Sequence, residues 1–265
     1  MKRNIVYLDE TWYDTHDTVK KSWTNNNKKC FNSVPPNKGK RIIILHCGGE
    51  NGWIDDALLL SAKQIKDASL DYHDDMESSI FESWFERSLL PKLPPHSVIV
   101  MDNASYHSRL MKRIPNNSWN KLQIQEFLFT ENLYFEASYT KQQLLEVVHS
   151  RQYEKEYVVD NCARSNGHTV LRLPPYYCTL NPIELIWAQL KGNIRRRNVA
   201  PKFSSTVLQL IRREVTKITE TNWKNVIKHV IGVENDYLKY LPTLIKKITI
   251  NLDDTSDTSD NSDSE

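Results

Sequence analysis

The chain has few cysteines, and none in a pattern. Cys30, Cys47, Cys162 and Cys178 are scattered without CxxC spacing. So scattered, they suggest neither a zinc site nor a disulfide framework, and they suit a reducing compartment, cytosol or nucleus. Long hydrophobic runs are missing too: no stretch is long enough to span a bilayer. Near the start, the run Ile5–Leu8 is far too short for the apolar core of a signal peptide. There is also little net charge, +2 over 265 residues.

The near-neutral total hides an asymmetry. Residues 253–265, DDTSDTSDNSDSE, hold six acids and no base, which leaves 35 bases against 27 acids in the rest. A basic body with an acidic Ser/Thr/Asp tail predicts a polyanion-binding domain followed by a disordered extension. With 39% hydrophobic and 10% aromatic residues, the body can build a packed core of one good-sized domain or two small ones.

Taken in order, RNIVYLDETWYD predicts a short strand ending at Asp9. Thr18 to Lys40 reads as a long polar loop around a short strand near Trp23. RIIILHCGGENGWIDDALLLSA predicts an antiparallel pair, because Asn-Gly between two apolar runs is a strong hairpin signal. Helical periodicity follows over 76–90 and stops at prolines. In SVIVMDNASYHS the continuous apolar run predicts a buried strand ending at Asp102, with Asn103 and His107 just beyond it. Residues 115–165 break the α/β rhythm with a helix–loop–helix pattern that fits a second small core or an inserted helical pair. HTVLRLPP then predicts a fifth strand, and 204–219 and 221–239 two amphipathic helices before a C-terminal segment, 241–252.

The stretch that organises the chain is LRLPPYYCTLNPIELIWAQLKGNIRRRN, residues 171–198. Pro182 is well suited to a first helical position. At 100° per residue Ile183, Trp187, Leu190 and Ile194 share an apolar face, while Glu184, Lys191 and Arg195 share a second one about a quarter-turn away. Asn181 and Glu184 also stand at capping-box spacing, which by itself explains a glutamate there. Three acids nonetheless fall at the ends of core elements: Asp9, Asp102 and Glu184. Hard oxygen donors of this kind suit Mg2+ or Mn2+.

The element order fits an α/β, ribonuclease H-like fold: a mixed five-stranded sheet flanked by helices, with a helical insertion before the last strand. YLDETW, VIVMDNASYHS and LRLPPYYCTLNPIELIWAQLKGNIRRR together resemble the three signature blocks of the mariner-like, DDE-type transposases. The resemblance implies a catalytic domain over 1–240, interrupted by 115–165. It implies Asp9, Asp102 and Glu184 as the catalytic, metal-binding triad for two Mg2+ or Mn2+ ions, supported by Asn103 and His107. Lys191, Arg195, Arg196 and Arg197 are the expected contacts to DNA phosphates.

The implied activity is DNA strand cleavage and strand transfer in the nucleus. The expected partners are transposon ends and target DNA, with a homodimer as a further candidate and no membrane. Two departures stand out. Asp102 and Glu184 are separated by 81 residues, more than in the simplest members. The sequence also opens at the first acid-bearing strand, so the helix-turn-helix domains that read terminal repeats are expected to be missing. A domesticated or truncated, non-catalytic DNA-binding or assembly protein is the alternative.

Overall fold

A computed structural model of the chain describes residues 3–19, 37–61, 76–198 and 205–246, with side chains through 240. The loop around Trp23 and the acidic tail lie outside the described residues. Strand β1 (Ile5–Asp14) pairs antiparallel with β2 (Arg41–Gly49), from Val6 opposite Gly49 to Asp14 opposite Arg41. The run RIIILHCGG is buried in all but its first residue, as befits a strand covered on both faces. At its end Gly48 is required by close approach, since a Cβ there would fall 2.4 Å from the Trp223 ring.

The third expected strand is split. β3 (Gly52–Trp53) and β4 (Leu59–Ser61) both pair with β2, so the sheet has six strands rather than five. Asp55 and Asp56 turn out of the ladder between them, Asp56 with a left-handed φ of 52°. Two adjacent carboxylates are poor strand formers, and they interrupt an otherwise apolar run.

β5 (Val98–Met101) lies parallel to β1, and β6 (Thr169–Arg172) lies parallel to β5 at the sheet's edge. The fifth strand expected from HTVLRLPP is thus present, half exposed, with Leu171 open to solvent.

Alternation along β1 splits the core in two. Val6 and Leu8 join Leu45, Ile99, Phe81, Trp84 and Phe85 on the side of helix α1 (Ser78–Trp84). Tyr7 and Tyr13 face the other side, with Ile44 and the buried residues of three later helices. These are α5 (Pro182–Arg197), α6 (Ser205–Val215) and α7 (Glu220–Lys246). Each fully buried large side chain here, Trp187 and Trp223 among them, contributes roughly 1.5–3 kcal/mol by leaving water. α7 takes in the first residues of the segment read as separate from 241.

The helical excursion has a core of its own. Ile124, Phe127 and Leu128 of α2 (Lys121–Thr130) pack on Leu144, Leu145 and Val148 of α3 (Lys141–His149). Both helices start with a formed capping box, Asn120 with Gln123 and Thr140 with Gln143, each worth about 1 kcal/mol. α4 (Val158–Ser165) falls within the same sequence span but packs Val159 and Ala163 into the main core on the α1 side. Among the described residues no helix is long and apolar enough to cross a membrane.

Candidate active site

Asp9 sits in the middle of β1, not at its end as its sequence context suggests. It nonetheless lies just where the sheet opens, because the parallel ladder with β5 stops at Tyr7 opposite Val100. Two residues further along each chain segment come Asp9, still in β1, and Asp102, just past the end of β5, so the two acids emerge level with each other where the ladder opens. Glu184 arrives from the first turn of α5, set by Ile183, Ile186 and Trp187 packed below it. All three line one cleft of ≈ 370 Å³, with Asn181 and the Pro174–Tyr177 turn as part of its wall.

The capping box does not form at α5. Asn181 makes no side-chain cap; its Nδ2 instead donates to the Leu8 carbonyl at 3.3 Å, which fastens the helix start to β1 one residue before Asp9. Its buried Oδ1 has no hydrogen-bond partner among the described residues. Capping therefore does not account for Glu184.

Each aspartate is held by a different face of the sheet. Trp187 Nε1 donates to Asp9 Oδ2 at 3.1 Å from the α5 side. Behind it Trp53 contacts both Trp187 and Trp223 and stacks at 4.2 Å on His46, the residue opposite Asp9 in β2. Burial keeps His46 neutral, its pKa pushed down to about 3. The same apolar wall, together with the charges of Glu10, Glu184 and Asp102, raises the Asp9 pKa well above the carboxylate range.

Asp102 meets the opposite treatment. Its Oδ1 accepts from His107 Nδ1 at 2.7 Å and from the Ala104 N–H at 3.0 Å. Burial works against its charge, but these hydrogen bonds prevail and its pKa is lowered. His107 is fully buried and its Nε2 reaches Glu10 Oε1 at 3.0 Å. Burial disfavours the imidazolium, yet Glu10 and Asp102 push its pKa up to about 9. Asn103 donates through Nδ2 to the Leu173 carbonyl at 2.7 Å, tying the end of β5 to the turn after β6.

At Glu184 burial raises the pKa, while Lys191, two turns along α5, acts against the rise. The basic residues further on are mostly engaged. Arg195 forms a bidentate pair with Asp17 at 2.6–3.0 Å, and Arg197 pairs with the buried Glu214. Among the described residues Arg196 bonds the neutral Asn193 amide. Among the described residues, no group of three or more His, Cys, Asp or Glu side chains is gathered so as to hold a metal ion.

A family model described as DDE superfamily endonuclease matches residues 4–206, most of the chain. The chain belongs to that superfamily. Among solved structures it is similar to the Mos1 mariner paired end complex with Mn, at TM-score 0.50, and to the Mos1 transposase paired-end complex with left transposon end, at 0.51. In both comparisons identity is 14%, covering 86% of this chain and 52% of the Mos1 chain. The likeness is therefore one of ribonuclease H-like fold, and this DDE-superfamily chain spans about half the length of the chains it matches.

Two residues that shape this cleft carry little sequence signal. Glu10 is one; strand alternation after Asp9 does send it to the other face, where it meets His107. Arg172 is another. It bonds Asp160, Ser108 and the His107 carbonyl and lies 4.2 Å from the Tyr157 ring, so it braces the turn that presents His107.

Proposed function

We propose that this chain is the catalytic part of a DNA transposase, cleaving DNA strands and joining a DNA 3′ end to target DNA, with Asp9, Asp102 and Glu184 as its acids. What carries the reading is that these three acids, from three separate elements, line one cleft. The donor set fits a hard divalent cation. Asp9 Oδ1 and Asp102 Oδ2 accept no hydrogen bond among the described residues, and Asn181 Oδ1 is a buried oxygen without a partner beside them. Two Mg2+ or Mn2+ ions held there would stabilise the attacking and leaving oxygens of an in-line phosphoryl displacement.

The protein's own part is placement. Trp187 and His107 each occupy one oxygen of an aspartate, and the other oxygen is left for the cleft. Lys191 and Arg196 contact backbone phosphates, while Arg195 and Arg197, paired with Asp17 and Glu214, add positive field more than free donors. Asn103 and His107 support the acid at the end of β5. Two copies of the chain would engage two transposon ends, in the nucleus.

Titration of the purified chain with Mg2+ and Mn2+ on nicked or hairpin DNA tests this. Metal-dependent products that vanish in Asp102→Asn are expected; neither metal binding nor cleavage would overturn it. A second reading, a non-catalytic DNA-binding or assembly protein, is favoured by one observation: no set of acids in the described residues is already drawn together around a metal position. DNA binding without metal uptake would select it.

A further inference from the structure

Glu10 is 4% exposed and lies on the sheet face away from the cleft, among the residues packed against α1. A buried carboxylate needs partners, and here they are specific: His107 Nε2 at 3.0 Å and Tyr106 Oη at 3.3 Å. The His107 ring is wedged between Phe81, at 4.2 Å between ring centres, and Tyr106, at 4.6 Å, so it has little freedom to turn. Its remaining nitrogen holds Asp102 Oδ1 at 2.7 Å. A chain of contacts thus crosses the sheet edge from Glu10 through His107 to an acid of the cleft.

We propose that Glu10 is a positioning residue: by fixing the His107 ring it sets the rotamer of Asp102, committing Oδ1 to the protein and turning Oδ2 to the cleft. The inference rests on the reading of Asp102 as a metal-binding acid. His107 stands one contact behind that acid and Glu10 two; outer supports of metal ligands typically change affinity 10–100-fold when removed, and Glu10 belongs at the lower end of that range. Glu10 does not line the cleft and holds Asp102 through His107; its charge also opposes that of Asp9, so removing it eases ionisation of Asp9 and adds no loss of its own.

The test uses the full purified chain and Mn2+ as probe, with free Mn2+ measured by electron paramagnetic resonance. Glu10→Gln keeps the shape and should lower Mn2+ affinity about tenfold. It should also lower kcat on DNA with KM unchanged. A double variant with His107→Asn should lose no more than His107→Asn alone, because both act through one contact. Wild-type Mn2+ affinity in Glu10→Gln, or additive losses in the double variant, overturns the proposal. Should Glu10→Gln not fold, Glu10→Asp keeps the charge and shortens the reach. A weakened Mn2+ affinity there supports the proposal and an unchanged one overturns it. Asp102→Asn separates the two levels. If it alone loses Mn2+, only the role of Glu10 fails; if it binds Mn2+ normally, the reading of the cleft fails and takes this inference with it.

Discussion

The two ends of α5 handle charge in opposite ways. At its first turn Glu184 joins Asp9 and Asp102 around a cleft, like charges whose only opposing cation on the helix is Lys191, and both Asp9 and Glu184 have raised pKa values. At its last turn two of the three cations are matched by acids, Arg195 by Asp17 and Arg197 by Glu214, which is fully buried and also bonded by Lys217. Charges paired within the chain hold the fold. Charges crowded against their own kind cost folding energy and persist where something from outside is to be bound.

The largest expected effect is at the crowded end. Asp9→Asn removes a charge whose neighbours oppose it while leaving an oxygen for Trp187, so cleavage should fall about a thousandfold or more, the equivalent of several kcal/mol of transition-state stabilisation. Its melting temperature should hold or rise. A marked fall in melting temperature would mean that the acids of this end are also structural, and the contrast would break.

At the matched end Glu214→Leu should cost about 1–3 kcal/mol in urea unfolding, the worth of hydrogen bonds to charged groups, with DNA binding little changed. Burial opposes the Glu214 charge, but Lys217 and Arg197 prevail and its pKa is lowered in the folded chain. The stabilisation is therefore complete above the unfolded carboxylate's pKa and is lost as pH falls through the folded value. Unfolding at pH 7 and in the acid range below about 4.5 should show this loss in the wild type and a smaller one in Glu214→Leu.

Smaller effects belong to the cations. Lys191→Ala should weaken DNA binding and reduce the slope of log affinity against log salt by about one. Arg195→Ala should instead cost roughly 0.2–1 kcal/mol of stability, its pair with Asp17 being partly exposed, and should change the salt slope less than Lys191→Ala does. The reverse order in filter-binding titrations would show that Arg195 leaves Asp17 for DNA.

Much of the frame could be read before the structure. Apolar runs marked β2 and β5, the Asn-Gly turn marked the hairpin, and the 3.6-residue stripe on α5 names residues that are buried. What escaped depends on partners far away in sequence. Asp17 gives no hint of pairing with Arg195, and Asn181 in an Asn-Pro start looks like a cap until Leu8 supplies its actual partner. The end of β1 was missed because β2 carries the strand on past the point where β5 leaves it. Glu10 has no pattern of its own; a second acid next to an acid reads as solvated until its face of the strand is known.

The α2–α3 pair enters and leaves through a narrow neck. Leu110 and Tyr157 bridge antiparallel, with Met111 N–H bonded to the Glu156 carbonyl and Val158 N–H to that of Arg109. The ends of the excursion are therefore clasped a few residues past the Asp102 turn, and the distance from there to β6 is set by α4. Because closure entropy grows only slowly with loop length, the neck works like the clasp on a pendant: what hangs below it can lengthen, shorten or be exchanged, while the acids above it stay in place.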